Sequence, residues 1–231
     1  MSTHHRLPSL NRWRLGARSL VGLLLLAALV VGAGCGGGGD HDGGGGVSLA
    51  ELKGYLPAAG ELRLKQQQEH EWDNATDLLV QGLVIPAATT ASKLGAAIEA
   101  AGFQGAVGSE LADSHPELNV RIGAARFDSE AGALEVRDLL HEEDLKQPCS
   151  EACVVSPAEY ELDEIPNSAA VHHVPIRGKL PPGMSRVEAH HAEFVIGPQL
   201  YVVQADGRPS ANFSAKFDKL MRTVYATASS S

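Results

Sequence analysis

Basic charge, aromatic rings and cysteine are all scarce in this 231-residue chain, and each shortage narrows what it can be. Nineteen lysines and arginines are set against 28 acids, a formal net charge of −9. Four of the arginines lie in residues 1–34, which hold no acid, so the rest of the chain carries −13. An acidic body argues against nucleic acid as a partner, because that grip needs clustered Lys and Arg to release counterions. It argues equally against a polybasic hold on anionic lipid. Acidity of this kind favours solubility with few non-specific contacts. Aromatics are 5% of residues, so aliphatic side chains and alanine must supply most of the core. Long hydrophobic runs are missing too. The apolar stretch Leu20–Val31 has only 12 residues, against the roughly 20 that a spanning helix requires.

Sequence signatures of catalysis are lacking as well. No Gly-Lys-Ser/Thr follows the glycine tract 36–46, which rules out a phosphate-binding loop there. His70-Glu71 and His141-Glu142 each lack the second histidine of a zinc protease. No Gly-x-Ser-x-Gly elbow occurs; Gly183-Met184-Ser185-Arg186-Val187 comes nearest and lacks the final glycine. The acids Asp128 and Glu130, and Glu142 through Asp144, fall at a helix start or on an expected exposed face, where they suit the dipole or solvent.

What is present begins at the N-terminus. Arg6, Arg12, Arg14 and Arg18 precede the apolar stretch, which runs into Val31-Gly32-Ala33-Gly34-Cys35 and a glycine tract. Basic, then apolar, then small is the order of an export signal, and 12 apolar residues suit its central region. Arg12 and Arg14 are split by Trp13, which points to general secretion and away from twin-arginine export. The segment ending at Cys35 resembles the lipobox of bacterial lipoproteins, with Gly32 standing where that motif usually has Leu. The resemblance implies a signal peptide over 1–34 and diacylglyceryl attachment, with palmitate-type chains, at Cys35. It places the protein on the extracytoplasmic face of a bacterial membrane, lipid-anchored in the cell envelope. Residues 35–46 then act as a tether of about 20 Å mean span, and 47–231 form the extracytoplasmic domain. In an oxidising compartment, the remaining pair in Cys149-Ser-Glu-Ala-Cys153 reads as a local disulfide. Closing so short a loop is worth about 2 kcal/mol. Redox or metal use and free thiols are the alternatives, but a redox pair normally has two intervening residues, and here there are three.

Periodicity predicts α+β, a mainly antiparallel sheet with helices packed on one face. Helices are expected over Leu49–Leu56, Asn74–Val84 capped by Asp73 or Asn74, and Ala91–Ala101 capped by Thr90 and ended by Gly102. Leu118–Arg126 alternates as a strand. A helix follows from Asp128 or Ser129, with Ala133, Val136 and Leu140 at helical spacing. Then come strands Ala169–Ile176, Val187–Ile196 and Leu200–Ala205, the last two joined through Gly197-Pro198-Gln199. Ala211–Thr227 is an amphipathic helix with Phe213, Phe217 and Val224 on its stripe.

Two doubled histidines, His172-His173 and His190-His191, stand inside the strand candidates. Successive strand side chains point to opposite faces, so His172 groups with Ala170, and His190 with Ala192 and Phe194. On that reading His172 and His190 face the core, while His173, His191 and Glu193 face solvent. The latter three are the alternative metal set, since imidazoles and a carboxylate suit Zn²⁺, Cu²⁺ or Ni²⁺. His41 between Asp40 and Asp42 reads as a solvated spacer.

The reading that these features favour is a non-enzymatic envelope lipoprotein without a cofactor, binding an envelope protein or a small apolar ligand. Its layout is similar to small bacterial envelope lipoproteins with sensor-like ectodomains. A metal-binding lipoprotein using the two histidine pairs is one alternative, and an envelope hydrolase with an unrecognised site is another.

Overall fold

The computed structural model describes residues 48–79, 88–113, 118–146, 155–175 and 188–230. Cys35, Cys149 and Cys153 lie outside these, as do the tether, His41 and the 183–187 segment. In chain order the elements are α1 (Leu49–Gly54), β1 (Lys65–Trp72), α2 (Ala75–Asp77), α3 (Ala88–Ala100), β2 (Phe103–Ala112) and β3 (Leu118–Phe127). They continue with α4 (Glu130–Lys146), β4 (Val155–Glu159), β5 (Ser168–Pro175), β6 (Glu188–Ile196), β7 (Gln199–Gly207) and α5 (Phe213–Ser229). The strands make one antiparallel sheet in the order β1-β2-β3-β7-β6-β5-β4. The fold is α+β, as the periodicity predicts.

Local chemistry explains where the elements start and turn. Ser48 and Glu51 form a reciprocal capping box at α1. Asn74 accepts the Asp77 N–H at 2.8 Å and so caps α2. Ser129 Oγ accepts the Gly132 N–H at 3.2 Å at the head of α4. α3 begins at Ala88, so Thr90 lies inside the helix instead of capping it. Gly102, at φ +88°, ends that helix in the left-handed region that glycine enters freely. β6 turns into β7 through Gly197 and Pro198, with Gly197 at φ +54° in the first central position, as a type II′ hairpin requires.

The helices do not share one face. Val120, Ile122, Tyr201, Val203, Ala192 and Phe194 point to one side of the sheet and pack with Phe213, Phe217 and Met221 of α5 and Leu52 of α1. Ala125, Phe127, Leu200, Val202 and Val195 point to the other and pack with Ile98 of α3 and Val136 and Leu140 of α4. The central strands carry apolar residues on both faces, and a two-sided apolar sheet needs a cover on each. β1 and β4 were not apparent in the sequence. β1 reads Lys-Gln-Gln-Gln-Glu-His-Glu-Trp, and only Trp72 is buried. β4 contains Pro157. Both are edge strands, where polar side chains and proline guard against further pairing.

Candidate functional site

The antiparallel register of β5 and β6 sets His172 directly opposite His190. Their rings stack at 3.9 Å between centroids, 15° from parallel. His173 pairs with Ala189 and His191 with Val171, so the second histidine pair meets diagonally on the opposite face, at 4.9 Å. Four imidazoles thus straddle one strand pair, two on each side.

On the α5 side, alternation along β6 brings Glu188 to the face of His190. Its Oε1 lies 3.1 Å from His172 Nε2 and 3.7 Å from His190 Nε2. Its Oε2 accepts the Ser210 backbone N–H at 3.3 Å. His190 is 1% exposed, and its ring also packs on Phe217 at 4.8 Å. Its Nδ1 meets Tyr160 Oη at 3.2 Å and its Nε2 meets Ser214 Oγ at 3.3 Å. Burial, then the neighbouring imidazoles of His172, His191 and His173, pushes the His190 pKa down to about 3. Burial, aided by the charges of Asp218 and Glu193, pushes the Tyr160 phenol up, so it keeps its proton.

On the α4 side the expectation of solvent-facing groups fails for His173 and Glu193, while His191 keeps 24% of its side chain exposed. His173 is 5% and Glu193 1% exposed, beneath Asp144 of α4, itself 2% exposed. Alternation correctly separates the two faces, but it carries no information about a helix arriving from a distant part of the chain. Asp144, expected on an exposed helix face, is inside for the same reason. His191 Nδ1 stands 3.1 Å from Asp144 Oδ1. Burial first, then the charge and hydrogen bonding of Asp144, holds the Glu193 pKa well above the usual carboxylate range, with Arg137 opposing. His173 is pushed down to about 4 by burial and by His191, with Asp144 opposing. Both His173 ring nitrogens, Asp144 Oδ2 and Glu193 Oε2 are buried without a hydrogen-bond partner.

The alternative metal set His173, His191 and Glu193 therefore shares a face, but among the described residues the three ligand atoms that converge within 4.8 Å of one another belong to His172, Glu188 and His190. Glu188 was missed, although strand alternation from His190 would have placed it beside that ring. Tyr160 and Ser214 carried no sequence signal, being brought in by a loop and by α5.

A serine beside a buried histidine raises the hydrolase alternative. In a catalytic triad the acid holds one imidazole nitrogen and the serine the other. Here Ser214 and Glu188 both approach Nε2, and Nδ1 goes to Tyr160. That is not the relay.

A separate cavity of about 250 Å³ opens between α5, the turn at residues 61–64, and strands β3 and β7. Leu62, Leu64, Leu118, Val120, Phe217 and Leu220 line it, with Arg63, Lys216 and Lys219 among its polar residues. Among the described residues no helix is long and apolar enough to cross a membrane.

This architecture has a counterpart among solved structures. The extracellular domain of PknH from Mycobacterium tuberculosis is similar in fold. The TM-score is 0.54 at 11% identity, over 80% of this chain and 98% of that one. An ortholog of Rv0999 from Mycobacterium smegmatis overlays with a TM-score of 0.36 at 10% identity, over 78% of this chain and 94% of that one. No protein-family model and no curated protein matches the sequence.

Proposed function

We propose that the chain is a lipid-anchored, non-enzymatic domain on the extracytoplasmic face of a bacterial envelope, and that it binds a small apolar ligand beneath α5. The observation that carries the ligand reading is the cavity of about 250 Å³ lined by leucines and Phe217. Ligand sites are concave and mostly apolar, with a few polar groups to orient the occupant, and commonly measure about 300–1,000 Å³. A space just under that range suits a single ring or a short acyl chain. The location rests on the segment ending at Cys35, and the fold shared with an extracellular domain supports it.

Octanoate, titrated into ¹⁵N-labelled protein and followed by NMR, tests the site. The expected result is saturable shifts confined to residues around Leu62, Leu118 and Phe217. Ala205→Leu, which fills the cavity from its β7 wall, is expected to abolish them. Shifts centred elsewhere, or binding unchanged in Ala205→Leu, would refute the assignment.

A further inference from the structure

We propose that His172 Nε2, His190 Nε2 and Glu188 Oε1 form a binding site for a divalent cation of the zinc class, between the β5–β6 pair and α5. This site is distinct from the apolar cavity and does not depend on its having a ligand.

The donor set has the right composition. Two imidazoles and one carboxylate suit zinc and its borderline neighbours, and three protein ligands with one open position is a common zinc arrangement. Spacing agrees as well. Ligand atoms placed tetrahedrally around an ion at about 2.0–2.1 Å stand about 3.3 Å apart. The glutamate oxygen lies 3.1 Å from one imidazole nitrogen and 3.7 Å from the other. The three atoms all fall within 4.8 Å of one another.

Supporting contacts are those a metal site uses to orient its ligands. The Ser210 N–H holds the far oxygen of Glu188 at 3.3 Å. Tyr160 Oη holds His190 Nδ1 at 3.2 Å, which leaves Nε2 to the ion. Ser214 Oγ, 3.3 Å from His190 Nε2, stands beside the open position.

An ordinary histidine–glutamate ion pair would account for His172 and Glu188 alone. It gives no reason for a second imidazole, almost wholly buried, to bring its nitrogen to the same carboxylate oxygen. The stacked rings hold their lone pairs in nearly parallel planes, so binding one ion between them requires them to splay. His172, with 23% of its side chain exposed, is the member free to tilt.

Calorimetric titration of the full chain in detergent with ZnCl₂ tests the site, with His41→Ala in the background so that the tether imidazole contributes no signal. One-to-one binding with Kd of about 1 μM or tighter is expected. Loss of about 100-fold or more is expected for His172→Ala and for Glu188→Gln, since outer partners alone are worth about 10–100-fold. Tyr160→Phe is expected to weaken binding about 10-fold. His191→Ala, on the opposite face, is expected to leave the affinity unchanged. His172 is partly exposed, so its variant should fold even if changes at His190 do not. Binding weaker than about 100 μM, or binding that survives both His172→Ala and Glu188→Gln, would overturn the proposal. So would binding lost in His191→Ala.

Discussion

His173 lies between β5 and α4 with both ring nitrogens buried and unpartnered, an expensive way to place an imidazole. A polar group left without a hydrogen bond in the interior costs about 1–3 kcal/mol. The same burial links stability to pH. An imidazole in the unfolded chain titrates near 6.5, and folded His173 is pushed down to about 4. Between those values the unfolded chain holds the proton and the fold does not. Stability therefore rises with pH through that window and is lost on acidification. His190, pushed down to about 3, adds a loss of the same sign. Glu193 opposes them. Its raised pKa keeps the proton in the fold after the unfolded chain has released it, so its contribution falls as pH climbs above the ordinary carboxylate range. His173→Leu removes the orphaned nitrogens and one titrating group. Urea unfolding at pH 7 should show the variant more stable by about 1–3 kcal/mol, with a shallower loss between pH 6.5 and 4. A variant less stable than the parent and equally acid-sensitive would mean that the ring is satisfied in solution.

The junction of α3 and α4 is the element most sensitive to a single atom. A Cβ on Gly132 would meet the Ala101 carbonyl oxygen at 2.1 Å, far inside contact distance. Glycine in a helix normally gains about 1 kcal/mol on replacement by alanine, so here two effects compete. Overpacking against a backbone that cannot move aside costs about 1–3 kcal/mol. Gly132→Ala should therefore lower the urea midpoint, and a raised midpoint would show that the helices stand further apart. Legibility in the sequence also divides at this scale. α5 and the β6–β7 hairpin could be read directly, because the Phe213–Phe217–Val224 stripe and the Gly197-Pro198 turn are local signals. β1 escaped because an edge strand has little to bury, and its glutamines and charges look like a loop. The start of α3 was misplaced by three residues, since Thr90 resembles a cap only until the chain beyond Ala88 is seen to be helical.

For the whole molecule, the lipid attachment proposed at Cys35 is the feature on which the proposed cellular location turns. Cys35→Ala should release the protein from membranes or leave the precursor unprocessed, as seen by fractionation and by the mass of the mature N-terminus. A variant processed and retained like the parent would dispose of lipid attachment at that residue.

Sequence alone determined the alternation of β5 and β6, and with it the sorting of four histidines into His172 with His190 and His173 with His191. That follows from a period of two residues, which no distant contact can change. It also determined the class of fold, through runs whose spacing is helical or strand-like over 8–17 residues. Only the tertiary structure decided which of those faces meet solvent. α4 and α5 cover opposite sides of the same strand pair, so His173 and Glu193, expected to be wet, are buried. The partners of His190 were decided the same way, because Tyr160 and Ser214 come from segments 30 and 24 residues away. Burial is a property of what packs on a strand, and a strand's own residues do not encode that neighbour.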